Sequence, residues 1–182
     1  HYVMAGGERL ELDPGTYCKL KIDAPNGGTV VFKPGVYIVK ELNEPMWLKG
    51  KLTVEGDSVT FLSPGIIMEV DGTVNLKPPK TGDYYGVLAL AGFIDISDYS
   101  VISTAGDYNL TGILFAHYQL ATQRKGMSIH GKTNITSGCL KLLSGDRLDI
   151  TTEGTITIGT DCRNTGVATN SEYMGFSSKL LE

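Results

Sequence analysis

Acidic side chains recur in close pairs along this chain, Glu55 with Asp57 and Glu69 with Asp71, and in a looser group of Asp95, Asp98 and Asp107. Carboxylates at i and i+2 can share one face of a strand. In that position they could serve as the acid and base of a glycosidase or gather oxygens around a calcium ion. Each pair also sits beside a glycine, where Asp and Glu act as ordinary turn residues. A polysaccharide lyase would need a cationic base opposite such carboxylates, and Arg124 with Lys125 has no acidic partner nearby in sequence. Neither the EF-hand spacing nor the glycine-rich nonapeptide calcium repeat is present. These letters assign no catalytic, cofactor-binding or metal-ligating residue, and no cofactor is expected.

The remaining reactive residue types lead to the same conclusion. His117 and His130 stand 13 apart, and neither they nor His1 has a cysteine or carboxylate at zinc-ligand spacing. No G-x-S-x-G elbow exposes a nucleophilic serine. Cys139 and Cys162 are 23 apart, a candidate disulfide if that interval returns the chain to the same place, and otherwise two small buried hydrophobes; Cys18 is then a lone thiol. Tyrosines gather in the middle third. Tyr84, Tyr85, Tyr99, Tyr108 and Tyr118, together with Asp95 and Asp98, form a candidate contact surface, because exposed aromatics stack on sugar rings or bury in protein interfaces. Two Asn-x-Thr triplets, at 109–111 and 134–136, fit a glycosylation acceptor pattern that carries no meaning if the source is bacterial.

The elements that hold these residues are short. The 182 residues include 23 Gly and only 7 Pro, with 41% apolar and 20% charged residues. Such a composition is that of one globular domain, and glycine at this density breaks the chain into brief segments joined by tight turns. A net charge of −4 provides no basic footprint for nucleic acid. No apolar stretch is long enough to span a bilayer, so any export signal or membrane anchor is expected outside this chain. Apolar runs such as VVFKPGVYIV at 30–39, VTFLSPGIIMEV at 59–70, GVLALAG at 86–92 and GILFA at 112–116 are β-branched and bounded by Gly, Pro, Asn or Asp. They read as strands, and helix signals are almost absent.

Similar segments return at intervals. LDPGTY at 12–17 recurs as FKPGVY at 32–37, and GVLALA from Gly86 recurs as GILFAH from Gly112, offsets of 20 and 26. Between them lie segments alternating Thr, Ser or Asn with aliphatics. A period of 20 to 30 residues built from two or three short strands suits an all-β, single-stranded parallel β-helix of about six coils over residues 12–160. The alternative is an antiparallel β-sandwich. In the β-helix, Val87, Leu88 and Leu90 are expected to stack inward near Ile113 and Leu114, with Thr, Ser and Asn facing water. The domain is expected to cover residues 1–162, the first ten or so being a cap or an added segment, and residues 163–182 to be a polar capping or flexible tail.

The motif order carries a family resemblance. Pro34, Gly35, Val36 and Tyr37 are followed by LTVEG, then GDSVTFLSPG, then Leu76, Pro78, Pro79, Thr81, Gly82, Tyr85, Gly86, Val87 and Leu88, then Leu110, Thr111, Gly112 and Ile113. This succession resembles the β-helical region of bacterial TadE/TadG-like proteins of tight-adherence (Flp) pilus assembly, departing from it where Phe115 is followed by Ala116 and His117 rather than by a proline. The resemblance implies an exported bacterial envelope or cell-surface protein, non-enzymatic, structural or adhesive, with protein partners in a pilus assembly and membrane contact only through an anchor elsewhere. The competing expectation is a carbohydrate-binding or polysaccharide-degrading β-helix whose groove gathers Asp95, Asp98 and the tyrosines.

Overall fold

A computed structural model describes residues 1–97, 105–117 and 126–159. Every regular element among them is a β-strand, and every pairing is parallel. The chain climbs in laps. The first holds β1 (Tyr2–Val3), β2 (Glu8–Leu12) and β3 (Gly15–Tyr17); the second, β4 (Lys21–Phe32) and β5 (Gly35–Val39); the third, β6 (Met46–Gly56) and β7 (Val59–Ser63). The fourth lap is β8 (Ile66–Val70), β9 (Thr73–Leu76) and β10 (Val87–Ala91), and the fifth β11 (Phe93–Ser97), β12 (Asp107–Leu110) and β13 (Gly112–Ala116). The sixth is β14 (Gly126–Ile129), β15 (Asn134–Ser137) and β16 (Leu140–Ser144), and β17 (Leu148–Ile150) and β18 (Ile156–Ile158) continue upward.

Stacked laps make a three-sided parallel β-helix. The first face runs β1, β4, β6, β8, β11, β14, β17, and the second β2, β4, β6, β9, β12, β15, β18. Long strands β4 and β6 bend around the corner and belong to both, so the two faces are continuous there. The third face is a separate six-stranded sheet, β3, β5, β7, β10, β13, β16. All-parallel pairing excludes the sandwich, whose neighbouring strands would alternate in direction.

Strand alternation places one ladder per face in the interior. Ile22, Leu48, Met68, Ile96 and Ile129 stack on the first face, with Ile150 exposed in line above them. Leu10, Val30, Val54, Val74, Tyr108, Ile135 and Ile156 stack on the second. On the third, Tyr37, Phe61, Ala89 and Leu114 lie over one another, with Leu142 above them. They merge into one apolar core from the first lap, where Met4 is buried, to the sixth. Near its lower end Phe32, Tyr37 and Phe61 form a ring cluster with centroids 4.9 to 5.6 Å apart.

Corners decide which residues can turn. At Gly72, φ is +150° and an added Cβ would come within 2.2 Å of the Leu52 carbonyl oxygen one lap below, so only glycine lets the two laps stack at their normal spacing. The Pro78, Pro79 turn between β9 and β10 closes through Gly86 N–H donating to Pro79 O at 2.9 Å and Val87 N–H to Tyr84 O at 3.0 Å.

The register corrects one expected ladder. An irregularity between Val87 and Ala89 puts Leu88 and Ala89 both in the core, which turns Leu90 outward onto Phe115 instead of inward toward Ile113 and Leu114. Ile113 likewise lies outside the main core, packed with Cys139 and Phe115.

Candidate functional site

Most of the outer surface follows the expected polar pattern. On the first face the outward positions include Lys21, Lys49, Glu69 and Asp95, and on the second Thr29, Thr53 and Thr73 form one ladder, with Asn75 and Asn109 in the next. These side chains mostly bind one another. Lys49 meets Glu69 at 3.7 Å, Asn109 donates to Asn75 at 2.7 Å, and Asn134 donates to Asp107 at 3.0 Å. Lys21 and Lys19 bond the Glu44 carboxylate and hold its pKa below the usual value. That depression favours the folded chain at neutral pH, and the benefit fades as pH falls through the lowered value.

The third face breaks the pattern. Its outward ladder runs Thr16, Ile38, Leu62, Leu90, Phe115, Leu143, five large apolar side chains in register on consecutive laps. Lys141 is the only charged residue in the six strands of this sheet. GVYIV, VTFLS, VLALA and GILFA are therefore apolar on both sides, a composition usual for parallel strands covered on both faces. At one margin the ladder opens into a groove of about 490 Å³ lined by Ile38, Leu62, Leu90, Phe115, Leu42 and His117. Leu42 is 69% exposed and Leu143 38%. A contiguous apolar strip of this kind marks a contact site more often than isolated exposed leucines do. The signal was present in the sequence, since these runs do not alternate; a reading that sends every leucine inward passes over it.

Candidate residues read from the sequence are dispersed. Tyr108 is corrected from contact surface to core: it is 1% exposed, because the phase of Asp107, Tyr108, Asn109, Leu110 points it and Leu110 inward. Its hydroxyl accepts from Val70 N–H at 3.2 Å and shares its one proton between the carbonyls of Met68 and Ser97 at 3.0 and 2.9 Å. Tyr84 and Tyr85 are half-buried in the turn between the second and third faces. Asp95 is on the outer side of the first face, its carboxylate 2.8 Å from His130 Nε2. The turn with the two tyrosines lies between the second and third faces and Asp95 on the first, so among the described residues no groove joins them. Asp98, Tyr99 and Tyr118 lie outside the described residues, as do Arg124 and Lys125.

The paired carboxylates divide between strand and corner. Glu55 faces out from β6, 3.8 Å from Arg9, while Asp57 occupies the following corner; both border a groove of about 470 Å³ that Lys33 and Lys77 line as well. Glu69 is engaged by Lys49, and Asp71 begins the next corner with its N–H on Gly50 O. Among the described residues no three His, Cys, Asp or Glu side chains come together as a metal would require, and no helix is long and apolar enough to cross a membrane.

Cys18 is exposed and free, whereas Cys139 is 1% exposed and disulfide-bonded. Cys162, proposed as its partner, lies outside the described residues. Alkylation of the unfolded chain should label one thiol before reduction and all three after it, with a Cys139 to Cys162 peptide in a non-reducing digest. Three labelled thiols without reduction would disprove the bond. Comparison with protein-family models, with curated proteins and with solved structures finds no match for this chain.

Proposed function

We propose that this chain is a non-enzymatic structural and interaction domain of a bacterial envelope or surface protein, exported and active in the pilus-assembly context that its motif order resembles. The observation carrying this reading is the apolar ladder Ile38, Leu62, Leu90, Phe115, Leu143 on the outer side of the third face. Water-facing strands gain nothing from five large apolar side chains in line, whereas a contact surface does. The stack beneath them supports the same reading. Parallel laps over one continuous core make a stiff support, on which the ladder stays straight and evenly spaced.

Photo-crosslinking in the source cell, with the natural flanking sequence intact, tests the proposal. A photoreactive residue at Leu62 should give discrete protein adducts, and the same probe at Thr53 on the polar second face should give few. Absence of adducts from Leu62 would overturn the contact reading. Depolymerisation of acidic polysaccharide by the purified chain, abolished by Asp95→Asn with the fold unchanged, would replace it with the carbohydrate-degrading class.

A further inference from the structure

We infer that the partner of the third face is a second copy of this chain, joined to the first across a two-fold axis through Leu90. The inference rests on the contact-face reading above and adds the identity of the occupant. Charge gives its first argument. Two copies each carry −4, so they approach most easily where neither presents acidic side chains, and the six strands of the third face hold no acidic residue and one cation, Lys141, with Lys40 at the groove margin. A partner recognised by opposite charge would find only Lys141 and Lys40 to read among the described residues here.

Spacing gives the second argument. The apolar rungs rise by one strand separation, about 4.8 Å, from lap to lap, and an identical ladder has the same interval. Leu90 is the middle of the five apolar rungs. A two-fold axis there sets Leu90 on Leu90, Leu62 on Phe115 and Ile38 on Leu143, each pair occurring twice as an isologous interface demands. Sheets meeting face to face in this way pack about 10 Å apart, with their strands rotated by about 30°.

Area sets the expected strength. Five strands of five residues and one of three cover about 400 Å² per copy, so the two faces together, with the relief of the side chains and the margin at Leu42 and Pro64, reach about 1,000 Å². That is the lower limit for a specific interface, and it corresponds to a reversible dimer that dissociates on dilution.

Sedimentation equilibrium of the full chain, carrying Cys18→Ser so that the exposed thiol cannot link copies, measures this directly. The average mass should rise toward twice the monomer as concentration increases through the micromolar range. Leu62→Lys with Leu90→Lys should weaken association at least about tenfold, since each copy would bring two cations into an apolar contact. In the same Cys18→Ser background, Leu90→Cys should be joined into a covalent dimer by a short bis-maleimide that spans the gap between the facing sheets, and Thr53→Cys should not, which keeps the test decisive if the double lysine variant folds poorly. A monomer at every concentration, or a dimer indifferent to the lysines, would overturn the inference. If the chain is monomeric and Leu62 still crosslinks other proteins in the cell, the contact reading stands and only the second copy falls; if Leu62 crosslinks nothing, both fall.

Discussion

Phe61→Ala should cost about 3–5 kcal/mol, while Leu62→Ala, one residue on, should cost about 1 kcal/mol or less. Phe61 is 1% exposed and packs edge-on against Phe32 at 4.9 Å between centroids, with Tyr37 tilted beside it at 5.6 Å. Truncation removes a ring from the centre of the interior ladder. The cavity opens between two laps whose backbones are tied to strands above and below, so the walls have little freedom to close on it. Leu62 belongs to the outer ladder, where truncation exposes little that was not already near water. Trp47, the single tryptophan, stands on the same lap, and its fluorescence follows the loss in a urea titration. With a slope of about 2 kcal/mol per molar, the Phe61→Ala midpoint should drop by about 2 M. Equal costs at the two positions, or a larger one at Leu62, would mean that β7 is out of phase, because a one-residue slip exchanges the interior and exterior sides of a strand.

That contrast also marks how far residue patterns could lead. Short β-branched runs between glycines revealed the strands, and the recurrence of LDPGTY as FKPGVY revealed the winding, because a coil must return to the same corner with the same turn residues. The early strands at Lys21–Phe32 and Met46–Gly56 were less visible as whole elements. Each bends through a corner in mid-strand, with Gly27 and Gly50 at positive φ, so neither period nor punctuation marks it as one unit. Side-chain direction was the harder problem. VLALA has no polar residue to set its phase, and the shift in register between Val87 and Ala89 can be seen only where the strand meets its neighbour. The outer apolar ladder was thus spelled out in the letters yet hidden in the phase. Tyr108 left the candidate surface for a related reason, since the alternation of Asp107, Tyr108, Asn109 and Leu110 turns it into the core, which its nearness in sequence to other tyrosines does not reveal.

Tyr108→Phe separates the two roles that a central tyrosine could have. The ring stays, so packing against Val74 and Ile135 is kept, and only the hydroxyl is lost. A tyrosine on a contact surface would lose a polar tip at no cost to the fold. Here the hydroxyl takes the Val70 N–H and serves the carbonyls of Met68 and Ser97, joining β8, β11 and the strand that carries it from inside the core. Removing one member of a buried polar cluster leaves the others dehydrated and unpaired, which costs about 1–3 kcal/mol for each group stranded. A loss of about 3 kcal/mol is expected, the lower end for three stranded groups. It should be local, because laps in a solenoid respond to their nearest neighbours. Amide exchange at Val70 should accelerate, and exchange at Val30, two laps below on the second face, should keep its wild-type rate once the global change is subtracted. A cost under about 0.5 kcal/mol, with Val70 exchange unchanged, would show that these backbone groups find other partners and that the hydroxyl does not bind the laps together.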